Sequence, residues 1–373
     1  DRTTGEFVYI QPQGEPDDTE RFNWDAPILV SPHSPTRLYF ASQRVWRSEN
    51  RGDSWTAISG DLTLNQERVQ LPIMGTTWGW DAAWDIYAMS AYNTITSLAE
   101  SPVQENLIYA GTDDGIVQVT EDGGKNWRKI NVGSIKGVPA GAFVNDIKAD
   151  LHDANTVYLA LDNHKFGDYA PYLYKSTNRG KTWRSISSNL PAKHLVWRIV
   201  QDHVKKDLLF AATEFGIFTS LNGGSSWAKL KGGVPTISFR DLAIQKREND
   251  LVGASFGRSF YVFDDYSVLR EIDNASLKKE GSLYSSRKAW WYIQRPVLSF
   301  SKKGSQGAGY YTAKNPLFGA VFTYHLAEGY STAEAKRKKR EKKLGHNKGG
   351  GKVPSWDAFE AERREAKPKV WLV

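Results

Sequence analysis

Short runs of alternating apolar and polar residues, bounded by Gly, Asn, Asp and Ser, follow one another through the first two thirds of the chain. The clearest set is 94–99, 106–112, 115–119 and 128–130, which reads as four successive strands. The same order returns at 146–149, 156–160 and 172–175, and again at 196–200, 207–212 and 216–219. An earlier unit uses 27–30, 37–41 and 45–47. A fifth uses 242–244, 250–254 and 259–263. Units of about four short strands repeated in series predict the blades of a β-propeller, an all-β fold.

An eight-residue turn sets the period. It reads Ser48-Glu49-Asn50-Arg51-Gly52-Asp53-Ser54-Trp55 in the first unit and Thr120-Glu121-Asp122-Gly123-Gly124-Lys125-Asn126-Trp127 in the second. The third and fourth copies are Ser176-Thr177-Asn178-Arg179-Gly180-Lys181-Thr182-Trp183 and Ser220-Leu221-Asn222-Gly223-Gly224-Ser225-Ser226-Trp227. The Asn or Asp at the third position can bond backbone N–H groups just ahead of it, and the invariant fifth Gly can take φ > 0 without steric cost. The closing Trp is large enough to pin the turn to the sheet beneath. The fifth unit has Asp264-Asp265-Tyr266 instead, which marks the end of the array. Only the interval from Trp183 to Trp227 approaches a bare blade of roughly 40–45 residues. The extra length elsewhere predicts loops, one over 65–92 and one between Asp162 and Pro171.

Composition narrows the function. The 373 residues contain 14 Trp and 32 Gly, and no Cys, so a disulfide framework and a thiolate metal site are both excluded. No apolar run is long enough to span a bilayer as a helix. The net charge of +7 is concentrated between Lys336 and Lys343, where seven basic residues stand against Glu341. The rest of the chain is close to neutral and gives no compositional case for nucleic acid. The run itself could meet lipid headgroups or an acidic partner, or form a solvated charged face.

The Ser/Thr-x-Asp/Asn-x-Gly-x-Ser/Thr-Trp turn resembles the Asp-box, or bacterial neuraminidase repeat, of sialidases, xyloglucan-cleaving glycoside hydrolases and sortilin-type receptors. The tract Leu107-Ile108-Tyr109-Ala110-Gly111-Thr112-Asp113-Asp114-Gly115, followed by a box, is most similar to the last two groups. Over nearly its whole length the chain resembles sortilin-like or glycosyl-hydrolase-like proteins secreted by bacteria or held in their envelope. That resemblance implies an extracytoplasmic location, in the periplasm, on the outer surface or secreted, and a ring of more blades than the five visible here. It therefore predicts an incomplete ring, finished by an N-terminal part of the same polypeptide or by a separate protein partner. The box is specific for fold and not for activity. The Arg-Ile/Leu-Pro motif of sialidases is missing ahead of Ser48, and without convergent arginines a sialic acid carboxylate would lose its bidentate grip.

Two functions lead, with a third, nucleic-acid binding through the Lys336–Lys343 run and steeply salt-dependent, standing behind them. The first is a binding or scaffold propeller that recognises a protein or glycan partner in a bacterial envelope assembly, with no cofactor and no metal. The second is a glycoside hydrolase acting on a neutral polysaccharide through two carboxylates. Candidate carboxylates are Asp81, Asp85, Asp113 or Asp114, Asp162 and Glu214, although Asp113-Asp114-Gly115 and Glu214-Phe215-Gly216 also suit plain hairpin turns. The candidate ligand-binding aromatics are Trp78, Trp80, Trp84, Tyr87 and Tyr92, which could stack on sugar rings or simply cap the propeller face. His164 beside Asp162 and Asp168 could in principle hold a metal, but also suits a solvated turn. The box residues Asn50, Gly52, Trp55, Asp122, Gly124, Trp127, Asn178, Gly180, Trp183, Asn222, Gly224 and Trp227 are expected to be structural.

The organisation expected is an N-terminal extension over 1–22, propeller blades over 23–273, and a linker with part of a β-sandwich over 274–373. In the last region 290–292 and 297–300 suggest strands or an extended tract. Residues 319–326 resemble the opening strand of an immunoglobulin-like sandwich, with 369–373 as its partner. A basic helix from about Thr332 to Leu344, ended by Gly345, and a second helix starting at the N-cap Ser355 are inserted between them.

Overall fold

The computed structural model describes residues 3–14, 19–72, 75–79, 81–82, 91–293, 318–344, 354–367 and 369, in two compact units, 1–270 and 271–373. The first unit is a series of five antiparallel sheets in which each strand pairs with its neighbour in sequence. Blade 1 comprises β1 (Ile28–Val30), β2 (Leu38–Ala41), β3 (Val45–Ser48) and β4 (Thr56–Ala57). Blade 2 comprises β5 (Ile95–Glu100), β6 (Ile108–Thr112), β7 (Ile116–Thr120) and β8 (Arg128–Asn131). Blade 3 is built from β9 (Phe143–Ala149), β10 (Val157–Asn163), β11 (Asp168–Ser176) and β12 (Arg184–Ser185). Blade 4 has β13 (Val196–Gln201), β14 (Leu209–Thr213), β15 (Gly216–Ser220) and β16 (Ala228–Lys229). Blade 5 has β17 (Phe239–Gln245), β18 (Asp250–Ser255) and β19 (Phe260–Phe263).

The fifth sheet therefore has three strands among the described residues, where a four-stranded unit was expected. After β19 the chain turns away at Asp265, whose φ is 46°, and a 3-10 turn over Tyr266–Arg270 folds back onto blade 4. There Tyr266 is fully buried, and its hydroxyl donates to Asp202 at 2.6 Å. Arg270 Nη2 and Nε also donate to Asp202, at 2.8 and 3.0 Å. A side chain that plugs the seam has taken the place of a turn that would start a fourth strand.

Four apolar clusters fill the four seams between successive blades. Tyr39, Ala41 and Val45 of blade 1 meet Ile95, Leu98, Ile108 and Ala110 of blade 2. Tyr109, Val117 and Val119 then meet Val144, Ile147 and Leu159, and Tyr158, Ala160 and Leu173 meet Ile199, Leu209 and Ala211. Phe210, Ala212 and Ile217 close on Phe239, Leu242 and Leu251. A blade packed on both faces needs apolar or small residues at every strand position, so β6, β7, β14 and β15 are buried throughout. The end blades have only one covered face, and β1, β17 and β19 show the alternation that this produces.

Three of the four turns act as clasps across the first three of these seams, and the turn of blade 1 clasps the N-terminal segment at Ile10 in the same way. In each, the opening Ser or Thr hydroxyl accepts from the fifth-position Gly N–H, as in Thr120 with Gly124 at 2.9 Å. The third-position side chain accepts from the seventh N–H, as in Asp122 with Asn126 at 2.9 Å. The fourth position is left-handed too, with φ of 61° at Arg51 and 58° at Arg179, so two consecutive residues and not only the Gly turn the chain. Each clasp Gly then packs against an isoleucine on the far side of its seam: Ile10, Ile58, Ile130 and Ile186 in turn. Trp55, Trp127 and Trp227 donate their indole N–H to the carbonyls of Ile10, Ile58 and Ile186, at 2.6, 3.2 and 2.7 Å. Trp183 Nε1 is buried without a hydrogen-bond partner.

In the second unit β20 (Gly281–Leu283) pairs with β21 (Tyr324–Leu326). The sequence placed a strand over 319–326, which is shorter than expected, and did not anticipate its partner at 281. Residues 290–292 form no strand, while 297–300, Gly345 and 370–373 lie outside the described residues. Helix α1 (Ala333–Leu344) and helix α2 (Trp356–Arg364), the latter N-capped by the Ser355 hydroxyl, match the expected pair. Arg337 joins them, pairing with Glu362 at 2.9 Å and lying over the Phe359 ring. No helix among the described residues is long and apolar enough to cross a membrane.

Candidate functional site

Among the described residues, one cavity of about 340 Å³ lies between the N-terminal segment and blade 1, around Ile10, Phe22, Ile28 and Phe40. Another, of about 290 Å³, opens at the strand ends where the first strands of blades 1 to 3 enter and gathers the more varied side chains. Three blades contribute to it. Asn23 precedes β1, and Arg68, Leu71, Pro72, Ala91 and Tyr92 come from the long insertion between blades 1 and 2. Asp113 lies in the turn between β6 and β7. Gly141 and Phe143 lead into β9, and Asp162, Asn163, Lys165 and Phe166 form the tip of the β10–β11 hairpin. That hairpin was expected as a loop between Asp162 and Pro171. Instead both strands run on to a 3-10 turn over His164–Phe166, with left-handed Gly167 (φ 77°) at its end, which lifts Lys165 and Phe166 over the opening.

The two cavity carboxylates differ in surroundings. Asp113 is buried and accepts from both the N–H and the hydroxyl of Thr94, each at 2.8 Å. Asn23 Nδ2 in turn donates to the Thr94 hydroxyl at 2.9 Å, which fixes that network at the cavity wall. Burial outweighs the two Thr94 bonds and, with a smaller contribution from neighbouring Asp114, pushes Asp113 up to about 7. Asp114 is also raised by burial, but it is turned from the cavity to Leu64 N–H (2.7 Å) and the Thr112 hydroxyl (2.5 Å). Asp162 is buried and pairs with His164, whose Nδ1 lies 2.5 Å from its Oδ1 and whose N–H donates at 3.2 Å.

Around these acids the wall combines aromatic faces with cations. Lys165 Nζ sits 5.1 Å from the Phe143 ring centroid, and Phe166 is largely exposed. Burial and the Asp114 and Asp113 charges push the Tyr92 phenol up to about 12, so it stays a hydrogen-bond donor at neutral pH. Arg68 is lowered by burial. A largely apolar site with an acid raised to about 7, a second carboxyl group, amides and two cations can bind a polyhydroxylated ligand, and that raised acid can give up a proton near neutrality.

The sequence candidates divide sharply. Asp113, Asp162 and Tyr92 converge on the cavity. Glu214 does not: its Oε2 accepts from Trp197 Nε1 and the Ser238 hydroxyl, both at 3.0 Å, as a tie between blades 4 and 5. Asp81 is exposed on the insertion and Trp78 is partly buried, whereas Trp80, Trp84, Asp85 and Tyr87 lie outside the described residues. Asp168 is taken by the Tyr172 hydroxyl at 2.5 Å, and among the described residues no group of three or more His, Cys, Asp or Glu converges. Sequence reasoning missed Asn23, Arg68, Phe143, Lys165 and Phe166. No repeat or motif marks them, and only the stacking of blades brings them together.

No family model and no curated protein matches the chain. Among solved structures, it is similar to an ancestral GH74 enzyme at 17% identity and TM-score 0.47, over 66% of this chain and 30% of that one. It is also similar to the GH74 xyloglucanase from Xanthomonas campestris at 20% identity and TM-score 0.45, over 63% and 36%. The extracellular domain of a putative hybrid two-component system from B. thetaiotaomicron aligns at 13% identity and TM-score 0.43, over 69% and 28%. The chain spans about a third of the length of the GH74 structures it resembles. At these identities and scores the propeller assignment stands on the five sheets of the chain itself.

Proposed function

We propose that this chain is an Asp-box propeller of the sortilin-like or glycosyl-hydrolase-like class, working outside the cytoplasm of a bacterium as a binding or scaffold protein. Its partner is held by the cavity over blades 1 to 3, and a glycan suits that cavity best. The observation that carries this reading is the meeting of Tyr92, Phe143 and Phe166 with Asn23, Asn163, Asp162 and Lys165 around one opening. Apolar ring faces covering a sugar's C–H face, beside amides and charges that bond its hydroxyls, are what carbohydrate recognition requires. A glycan array followed by calorimetry tests it. The parent protein should bind at least one glycan saturably, and Phe166→Ala with Lys165→Ala should weaken that binding at least tenfold.

One observation favours the hydrolase as a second reading: burial raises Asp113 to about 7 in the same cavity as Asp162. Such a pair has the raised acid and the second carboxylate that glycoside cleavage needs. Release of reducing ends from a neutral polysaccharide, abolished by both Asp113→Asn and Asp162→Asn, would establish it. Binding without release would leave the chain a binding module.

A further inference from the structure

The first strands of blades 2 to 5 share an irregularity that no repeat in the sequence marks. β5 packs on β9, β9 on β13 and β13 on β17. In each of these four strands the register with its neighbour slips by one residue near the end where the strand enters. A bulge of this kind leaves one residue out of the ladder and re-aims its side chain. The residues left over are Thr96, Asn145, Trp197 and Arg240.

The first two spend their side chains on the next blade. The Thr96 hydroxyl donates to the Val144 carbonyl at 2.7 Å, and Asn145 Nδ2 donates to the Val196 carbonyl at 3.0 Å. Trp197 departs from that use. Its indole N–H is tied to Glu214 at 3.0 Å, and Glu214 also accepts from the Ser238 hydroxyl, so the ring is fixed as a platform. Arg240 lies on that platform, its Cζ 3.7 Å from the Trp197 ring centroid and 5.3 Å from that of Phe256. A guanidinium stacked on a ring keeps its in-plane N–H groups for hydrogen bonds. Among the described residues Arg240 makes no hydrogen bond and no ion pair with them. The platform also continues the wall of the cavity over blades 1 to 3. His164, bonded to Asp162 of that cavity, meets the Trp197 ring edge-on at 5.8 Å between centroids.

We propose that the Trp197–Arg240 stack is a carboxylate subsite, and that the glycan held by the cavity is acidic, with a uronic acid residue seated at Arg240. The proposal rests on the glycan reading of the cavity and adds the sign of the ligand's charge and the place where that charge sits. A uronic acid carries a planar carboxylate on a ring that also has an apolar C–H face. The carboxylate oxygens match the side-by-side N–H groups of a guanidinium whose plane is already set by Trp197, so little freedom is lost on binding. The sugar's C–H face matches the Phe256 ring beside that guanidinium. Trp197 and Arg240 stand at the same strand ends as the cavity, and His164 bridges the two, so one oligosaccharide can reach both.

Oligogalacturonate, oligoglucuronate and oligomannuronate, each beside its carboxyl-reduced neutral counterpart, are titrated by calorimetry into the parent, Arg240→Gln and Phe166→Ala proteins. At least one acidic oligosaccharide should bind the parent at least tenfold more tightly than its neutral counterpart. Arg240→Gln should abolish that preference and leave the affinity for the neutral counterpart and the melting temperature unchanged. If Arg240→Gln lowers the melting temperature, Arg240→Lys takes its place, since it keeps the charge but loses the planar fork and should still weaken the preference. Acidic and neutral oligosaccharides bound equally by the parent, or a preference that survives the substitution at Arg240, overturn the inference and leave the glycan reading of the cavity standing. A preference that depends on Arg240 while Phe166→Ala changes nothing supports the carboxylate subsite and overturns the cavity reading instead. No binding of any of these oligosaccharides overturns the inference, and the glycan array then decides the cavity reading on its own.

Discussion

Replacing Gly124 by Ala tests the clasp where the geometry is least forgiving. Gly124 has φ of +101°, and a Cβ built there would lie 2.4 Å from the Ile58 carbonyl oxygen and 2.9 Å from Ile58 Cβ. A non-glycine residue held at such a φ costs about 1–2 kcal/mol. The backbone oxygen cannot swing aside as a side-chain tip could, so the seam between blades 1 and 2 has to open by several tenths of an ångström. Loosened contacts around Ile58 and Trp127 add roughly 1–3 kcal/mol, as in other overpacked cores. The total is about 2–5 kcal/mol, or roughly 4–20 °C in the melting temperature of a unit this size. Gly232→Ala is the control. Its φ is +77°, but nothing lies within 4 Å of the added carbon, so only the backbone cost of about 1 kcal/mol should appear. Paired thermal and urea denaturation, followed by circular dichroism, measures both variants. Equal losses for the two would refute the view that the clasp works by seating its Gly on the preceding blade.

Three further outcomes follow from the same geometry. Trp227→Phe leaves the buried Ile186 carbonyl without its indole donor and should cost about 1–2 kcal/mol more than Trp183→Phe, which removes a donor that has no acceptor; urea midpoints compare them. Asp113 is raised from 3.8 to about 7, so the folded state keeps a proton that the unfolded chain releases above its ordinary value, and stability is lost as pH rises from about 4 to about 7. The stability of Asp113→Asn relative to the parent should therefore improve by about 2–3 kcal/mol between pH 5 and pH 8; a flat difference across that range would contradict the burial argument. Asp202 is lowered to about 2, burial being outweighed by Arg270 and Tyr266, so its contribution is present above pH 4 and lost on acidification toward pH 2. Arg270→Met strands that buried carboxylate and should cost about 3–5 kcal/mol at pH 7, read by chemical denaturation.

The blades were legible in the sequence because their chemistry is local. Alternation set the strands, and one Asn or Asp with one Gly set each turn, so neither depended on distant residues. The clasp's seat was legible only in part. The isoleucine three residues after Trp55, Trp127 and Trp183 is a visible signal, but its partner is a Gly in the following unit, and no local rule links the two. Phe7–Ile10 carries the same signal in a segment that reads as a polar extension. Glu214 failed as a candidate because its partners Trp197 and Ser238 reach it from other strands, which spacing along the chain does not encode. Asp113 and Asp162 were named among several carboxylates, and the stacking of blades 2 and 3 singled them out. Phe143, Lys165 and Phe166 carried no pattern at all, since a wall assembled from three blades leaves no periodic trace.

The central claim is that the cavity over blades 1 to 3 is where this propeller meets its partner. Titration of the array-selected glycan into the parent, Phe166→Ala and Asp162→Asn proteins, with melting temperatures recorded alongside, tests it most directly. The account predicts saturable binding by the parent and at least a tenfold weaker affinity in both variants at an unchanged melting temperature. Affinity left intact by both substitutions would place recognition elsewhere and contradict the account.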